Sequence, residues 1–273
     1  MGSGSSKSNN NRGGSSKAPK MGFYTIQDKY TSLDQVQDAL RKCGLESSNL
    51  IIGVDYTKSN TWTGKNTFAG RCLHEINPAG GMNPYQTVID IMGRTLEPFD
   101  DDKLIPAYGF GDYSTSDKAV FSFFPNEQPC VGVLQVLQRY SEITPQVQLS
   151  GPTSFAPIID KAIEIVERTK QYHIIVIIVD GQVSSREPTA SAIVRASNYP
   201  MSIIMIGVGD GPWDEMEKYD DELPARKFDN FQFVNFHQVM TKPRVENYDC
   251  EFAVTALQEI PEQYAAIRKL GLL

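Results

Sequence analysis

Runs of apolar residues that alternate with helical patterns are the feature that most limits the possible folds of this 273-residue chain. Three runs, near residues 50, 175 and 204, are apolar throughout, as is typical of central strands covered on both faces. Stretches of ten or more residues with helical spacing separate most of the runs. This alternation predicts an α/β domain with a Rossmann-like, doubly wound, mostly parallel six-stranded sheet flanked by helices. The predicted strands cover 49–56, 104–112, 119–124, 172–181, 202–211 and 231–236.

The helical patterns have apolar residues three and four positions apart, which puts those residues on one face of each helix. Because the run at 119–124 follows its predecessor closely, we expect an antiparallel strand at the edge of the sheet. The predicted domain spans 31–270. The predicted helices cover 32–43, 83–99, 130–143, 155–170, 189–199 and 252–270.

Composition and charge exclude several classes of protein. The chain is 40% hydrophobic and carries a net charge of −7, which argues against general nucleic-acid binding. No run approaches the roughly 20 apolar residues of a membrane span. The four cysteines are scattered without a CxxC pair, so we expect free thiols in a reducing compartment and a cytoplasmic protein, with the nucleus also open.

The N-terminal segment differs from the rest of the chain. Residues 1–22 are rich in Gly, Ser and Asn and hold four basic residues and no acid, which predicts a disordered basic tail. Gly2 and Ser6 have the spacing of an N-myristoylation signal, although Gly/Ser leaders are also common in expression vectors. A myristoyl chain together with the basic residues would give weak association with the plasma membrane.

Oxygen-bearing side chains follow the predicted strands at the points where the strands end. In sheets of this kind, ligands bind beyond the carboxyl ends of the strands. Neither histidine nor cysteine is found at these ends, and we expect His74, His173 and His237 to be structural and to lie elsewhere. The donors are Asp55, Thr57, Ser59, Asp112, Thr153, Ser154, Asp180 and Asp210.

An oxygen-only donor set favours Mg²⁺, Mn²⁺ or Ca²⁺ over zinc or copper. If the chain turns into a loop after Tyr56, then Asp55, Thr57 and Ser59 can converge on one cation. The alternative stays open that Asp55 and Asp180 cap helices and that the hydroxyls make ordinary loop hydrogen bonds.

Several stretches resemble the copine-type von Willebrand factor A domain. They include "NLIIGVDYTKSN", "NPYQTVIDIMG", "LSGPTSFAPIID" and "IGVGDGPWDEMEKYDD", and the similarity runs from about 31 to 270. The chain is most similar to the copine-like A domains of plant RING-type ubiquitin ligases. The resemblance implies an adhesion-type metal site, with Mg²⁺ as the first choice. Its direct ligands would be the hydroxyls of Thr57, Ser59 and Thr153, and Asp55 and Asp180 would bind directly or through water.

The resemblance also implies a function. We expect a cation-dependent module that binds an acidic side chain of another protein, in signalling or as the substrate-recruiting part of a ubiquitin ligase. The chain shows neither the lipid-binding C2 domains of copines nor the cysteine-rich zinc domain of those ligases, so we expect no catalysis.

An aspartyl phosphatase that uses Mg²⁺ is the enzymatic alternative. In that chemistry an aspartate at a strand end is the nucleophile, and an acid two positions later is the general acid. Position 57 is threonine, which disfavours this alternative. The acidic stretch 218–231 is interpreted as a solvated loop.

Overall fold

A six-stranded sheet forms the centre of the molecule in the computed structural model, which describes residue 1 and residues 31–273 except 43, 46, 182, 222, 224 and 225. Its strands are β1 (Asn49–Asp55), β3 (Ala107–Phe110), β4 (Val120–Ser122), β6 (His173–Val179), β7 (Met201–Gly207) and β8 (Phe231–Asn235). A separate two-stranded ribbon pairs β2 (Leu104–Ile105) with β5 (Cys130–Val131).

The strand order across the sheet is β4-β3-β1-β6-β7-β8. Every neighbouring pair is parallel except β3 and β4, which are antiparallel and place β4 at the edge. The predicted fold class is therefore confirmed, as is the antiparallel edge strand. The chain passes from β1 to β3 on one side and later enters β6 on the other side of β1. The carboxyl ends of β1 and β6 thus flank the switch point of the sheet, where such folds bind ligands.

Helices cover both faces of the sheet, because alternate residues of the central strands point to opposite sides. Ile52 and Val176 belong to one apolar core, and their neighbours Ile51 and Ile175 belong to the other. The first core packs against α1 (Leu33–Lys42), α2 (Pro84–Leu96), α3 (Gly132–Ile143), α7 (Phe236–Met240), α8 (Tyr248–Leu257) and α9 (Ile260–Lys269). The second packs against α4 (Ala156–Thr169), α5 (Arg186–Ala196) and α6 (Asp214–Asp221).

The structure differs from the sequence prediction at the C-terminal end. The predicted helix over 252–270 is two helices, because Pro261 lies in the first turn of α9 and cannot continue α8. The predicted solvated loop over 218–231 begins with the last turn of α6. It also contains an ion pair between Arg226 and Asp229, with 2.9 Å between nitrogen and oxygen and both side chains buried.

Predictions for the N-terminus, apart from Met1, lie outside the described residues. These are the disordered tail over 1–22 and the myristoylation signal at Gly2. Within the described ranges, none of the helices is both long enough and apolar enough to span a bilayer.

Candidate metal centre

The loop after β1 turns back on itself and brings two hydroxyls together. Asp55 is fully buried at the end of β1, and its Oδ1 accepts a hydrogen bond from the Thr57 N–H at 2.8 Å. The Lys58 N–H donates to the Ser150 carbonyl at 2.6 Å, and a 3₁₀ turn, Lys58–Thr61, follows. This turn places the Ser59 hydroxyl 2.9 Å from the Thr57 hydroxyl. The loop geometry therefore gives the predicted convergence of the donors that follow β1.

Asp180 directly follows β6 and faces the same loop. Its Oδ2 accepts a hydrogen bond from the Thr63 hydroxyl at 2.6 Å. Burial raises the pKa of Asp180, although hydrogen bonds from Thr63, Ser59 and Thr57 oppose that effect. Burial also raises the pKa of Asp55 well above its ordinary value, and the nearby charge of Asp180 raises it further. The two carboxylates therefore form a buried, mutually repelling pair.

Asp55 contributes a carboxylate oxygen that has no hydrogen-bond partner in the part of the chain described. Asp55 Oδ2 is buried and accepts no hydrogen bond from the described residues. A buried carboxylate oxygen that lacks a donor is costly, unless a cation compensates its charge. Two carboxylates beside neutral hydroxyls also match the hard-oxygen preference of Mg²⁺, Mn²⁺ and Ca²⁺. The residues present fit a divalent cation.

Thr153 lies on a neighbouring loop that is tied to the first. Ser150 pairs with Thr57 in a parallel bridge, which brings the loop to the same edge of the sheet. The Thr153 carbonyl accepts from the Ser184 N–H at 2.9 Å and from the Ser185 N–H at 3.2 Å. Its side chain is buried, but in the part of the chain described, no hydrogen bond joins its hydroxyl to Asp55 or Asp180. Hydrogen bonds thus connect four of the five predicted ligands, and the loop after Ser150 brings Thr153 to the same edge of the sheet. The four connected ligands are Asp55, Thr57, Ser59 and Asp180.

The carboxylates of two other aspartates at this edge already accept hydrogen bonds from neighbouring loop residues. Asp112 Oδ2 accepts from the Ser114 hydroxyl at 2.5 Å, and the Thr115 hydroxyl donates to Asp112 Oδ1. Asp210 accepts from the backbone N–H groups of Asn66 and Thr67, both at 2.9 Å. Their carboxylates stabilise loops, so of the four aspartates only Asp55 and Asp180 form the buried pair.

Sequence reasoning missed two residues that support the site. Thr63 donates to Asp180, and its hydroxyl also lies 2.9 Å from the Ser59 carbonyl oxygen, but no spacing in the sequence indicates the contact with Asp180. His74 was expected to lie elsewhere, but its Nε2 is 2.8 Å from the Asp55 carbonyl oxygen. No local pattern in the sequence indicates that contact, because the fold creates it. Among the described residues, no cluster of three or more His, Cys, Asp or Glu side chains could hold a metal. The predicted site is not a cluster of that kind, because it has only two carboxylates and its other ligands are hydroxyls.

Comparison with known proteins assigns the family. The Copine family model matches residues 72–273. The chain is 50% identical over 270 residues to the E3 ubiquitin-protein ligase RGLG4 of Arabidopsis thaliana, covering 94% of this chain and 67% of that protein. It is 53% identical over 265 residues to the E3 ubiquitin-protein ligase RGLG2 of the same plant, covering 92% of this chain and 56% of that protein. The chain belongs to the copine family and has the von Willebrand A-type fold that the sequence predicts, which supports a protein-interaction module.

A solved structure gives a weaker likeness. The crystal structure of manganese-loaded Plasmodium vivax TRAP protein aligns with 70% of this chain and 69% of that chain, at 15% identity and a TM-score of 0.47. The family assignment rests on the sequence matches.

These relatives correct one prediction. We expected no catalysis, but the relatives are named as ubiquitin ligases, which are enzymes, so the prediction of a non-enzyme is wrong. The chain spans between about half and two thirds of the length of these two relatives. The family match gives no support to the aspartyl phosphatase alternative.

Proposed function

We propose that this domain binds one divalent cation, Mg²⁺ first and Mn²⁺ or Ca²⁺ as alternatives, and recognises a partner protein at that site. The observation that carries the proposal is the buried Asp55 Oδ2, which has no donor among the described residues and lies beside the Asp180 carboxylate. The residues that would hold the cation are Asp55, Thr57, Ser59, Thr153 and Asp180.

The ligand set also suggests what the partner supplies. Three of the five ligands are neutral hydroxyls, so the protein contributes only the two negative charges of Asp55 and Asp180. A cation held by this set would offer an acidic side chain of the partner a charge–charge attraction that water lacks. The partner would therefore present a glutamate or an aspartate, and nucleic acid is not expected.

Exposed aromatic residues on the same loops offer further contact area. Trp62, 59% exposed, belongs to the loop that carries Ser59, and its N–H donates to the Ser59 carbonyl at 2.9 Å. Tyr113, 70% exposed, follows Asp112, and its N–H donates to the Gln148 carbonyl at 2.9 Å beside the loop that leads to Thr153. Aromatic side chains are common anchors of protein interfaces, so both would contribute around the acidic contact.

In the whole protein, we propose that this domain recruits the substrate of a ubiquitin ligase. The support is the 50–53% identity to relatives named E3 ubiquitin-protein ligases. The domain would supply the binding step, and the acidic contact would select among substrates.

Calorimetric titration of the purified protein with MgCl₂ and MnCl₂ tests the cation. We expect one site in the wild type and none in Asp55→Ala or Asp180→Ala. Thr153→Ala should weaken binding, whereas Ser154→Ala, which removes a neighbouring buried hydroxyl outside the proposed ligand set, should not. A wild type that binds no cation refutes the proposal.

Capture of partners from a lysate tests recognition. Protein bound in Mg²⁺ should elute with EDTA, should be absent from the Asp55→Ala matrix and should lose affinity when one partner acid is changed to its amide. Retention in EDTA, after the metal is shown to be gone, would place recognition on another face.

For the N-terminal tail, we propose myristoylation at Gly2 and weak membrane association of an otherwise cytoplasmic protein. Intact-mass measurement after expression in a eukaryotic cell should detect the acyl group, and Gly2→Ala should remove it. An acetyl group or a free amine in its place contradicts the proposal.

A further inference from the structure

Three buried side chains converge on a single carbonyl at the candidate metal centre. The Asp55 carbonyl oxygen lies 2.8 Å from His74 Nε2, 3.2 Å from the Tyr85 hydroxyl and 3.3 Å from Asn60 Nδ2. The donors come from separate parts of the chain: Asn60 from the 3₁₀ turn, His74 from the following loop and Tyr85 from α2. A carbonyl has two lone pairs, so one or two donors would satisfy it.

The hydrogen bonds fix which nitrogen of His74 carries the proton. Because a carbonyl can only accept, Nε2 must be the donor, and in the neutral ring Nδ1 is then unprotonated. Nδ1 lies 2.8 Å from the Tyr140 hydroxyl, which therefore donates to it. Asn83 Nδ2 in turn donates to the Tyr140 hydroxyl at 3.1 Å, and Asn83 caps α2. The ring is thus held at both nitrogens.

Aromatic rings hold His74 on both faces as well. The Tyr56 ring stacks on it with centroids 4.6 Å apart, and the Tyr85 ring stacks with centroids 4.2 Å apart. Burial lowers the pKa of His74 to about 3, so the imidazole is neutral at physiological pH. The ring has no freedom to turn its donor away from the Asp55 carbonyl.

We propose that His74 is a positioning residue that holds Asp55 in its cation-binding orientation against the repulsion of Asp180. This inference rests on the proposed cation site. The unpartnered Asp55 Oδ2 and the Asp180 carboxylate repel each other, and a small backbone rotation at the end of β1 would separate them. The hydrogen bonds from His74 and Asn60 to the Asp55 carbonyl, with the Thr57 N–H on Oδ1, oppose that rotation. The Tyr85 hydroxyl, which donates to Asn60 Oδ1 at 2.8 Å, holds Asn60 in place.

The inference separates cation affinity from stability. If His74 only supports the fold, its loss lowers the free energy of unfolding equally with and without cation, and the dissociation constant stays the same. If His74 positions Asp55, its loss lowers the stability of the cation-bound form more than that of the cation-free form. The reason is that the two carboxylates can move apart in the cation-free form, which relieves their repulsion. Hydrogen-bond partners behind metal ligands typically change affinity by roughly 10–100-fold.

The experiment measures Mn²⁺ affinity by calorimetry and urea unfolding in chelator. His74→Met keeps an unbranched side chain between the two rings but has no donor, and His74→Gln restores an N–H donor at the same reach. We expect His74→Met to weaken Mn²⁺ binding roughly tenfold or more, and His74→Gln to recover most of the loss. As a control, Tyr172→Phe removes a buried hydroxyl that lies 2.8 Å from Ser202 Oγ at the opposite end of β6, and should leave affinity unchanged.

Tyr140→Phe keeps the test decisive if His74→Met does not fold. It leaves the ring stack in place and removes the hydroxyl that donates to Nδ1 and accepts from Asn83 Nδ2. The imidazole is then no longer held at Nδ1, although Nε2 keeps the Asp55 carbonyl as its acceptor. We expect weaker Mn²⁺ binding, in addition to the loss of stability in chelator that the two broken hydrogen bonds cause. Equal Mn²⁺ affinity in wild type, His74→Met and Tyr140→Phe overturns the role of His74 and leaves the cation site intact. A wild type that binds no Mn²⁺ overturns both.

Discussion

Replacing Asp55 by asparagine should stabilise the protein in chelator and abolish its stabilisation by Mg²⁺. Burial and the charge of Asp180 raise the pKa of Asp55 in the folded state. A raised carboxyl pKa contributes stability that is fully present below the unfolded value of about 4 and is lost as pH rises through the folded value. Above the unfolded pKa, the raised folded-state pKa therefore opposes folding, and asparagine, which does not titrate, removes that opposition.

The size of the effect follows from the contacts of Asp55. Asparagine keeps an oxygen for the Thr57 N–H and can place its NH₂ where Oδ2 lies, beside the Asp180 carboxylate. A hydrogen bond to a charged group contributes about 1.5–3 kcal/mol. An unfolding entropy of about 2.1 cal/mol/K per residue over roughly 240 residues is about 0.5 kcal/mol/K, so Tm should rise by about 3–6 °C. For the wild type, a hundredfold excess of Mg²⁺ over Kd adds about 2.7 kcal/mol, or about 5 °C.

Scanning calorimetry at neutral pH, in EDTA and in saturating Mg²⁺, measures both effects. The wild type should melt below Asp55→Asn in EDTA and should gain from Mg²⁺, whereas the variant should not respond. Asp112→Asn is the matched control. Burial raises the pKa of Asp112, but hydrogen bonds from Ser114 and Thr115 outweigh that effect and lower it. Asp112→Asn should therefore lose stability in both buffers and keep the response to Mg²⁺. The reasoning fails if Asp55→Asn melts below the wild type in EDTA or still responds to Mg²⁺.

Three further perturbations test the surroundings of the site. Thr63→Val removes the 2.6 Å hydrogen bond to Asp180 and should cost about 1–3 kcal/mol in urea unfolding, together with weaker Mg²⁺ binding; unchanged values would contradict the contact. Burial, followed by neighbouring acids, raises the pKa of Asp100 to about 6, so its favourable contribution is lost as pH rises through about 6. After allowance for solvent screening, Asp100→Asn should gain about 1–2 kcal/mol in unfolding at pH 8 and nothing below about pH 4, and a pH-independent difference would refute this. Arg226→Met leaves the Asp229 carboxylate buried without that partner and should cost about 3–5 kcal/mol while Mg²⁺ affinity stays unchanged.

Strands and most helices could be predicted because their signals are local. The apolar run that forms β6 predicts a buried strand without any other information, and the same is true of the runs that form β1 and β7. The helix α6 was missed because its sequence, DEMEKYDD, is acidic and buries only a few residues such as Met216 and Tyr219. Its helical pattern is too weak to outweigh the acidic composition.

The loops that carry the proposed ligands could also be predicted, but the residues that hold those ligands in place could not. Carboxyl ends of parallel strands meet at one edge, so Asp55 and Asp180 had to approach each other. The contact between Thr63 and Asp180 joins positions 117 residues apart, and that between His74 and the Asp55 carbonyl joins positions 19 apart. Both depend on how the long loop after β1 packs against the sheet, which no spacing in the sequence records.

The number of acids at an edge does not determine where a cation can bind. Asp112 and Asp210 follow strand ends just as Asp55 and Asp180 do, and position at a strand end by itself gives no reason to prefer one pair. The choice follows from the donors that the fold supplies. Hydroxyl and backbone donors occupy the carboxylates of Asp112 and Asp210, whereas Asp55 keeps one oxygen without a donor among the described residues. Because a buried oxygen without a donor is the costly one, the cation gains most where donors are lacking. The absence of a donor at Asp55 Oδ2 therefore favours the crevice between β1 and β6 over the neighbouring strand ends.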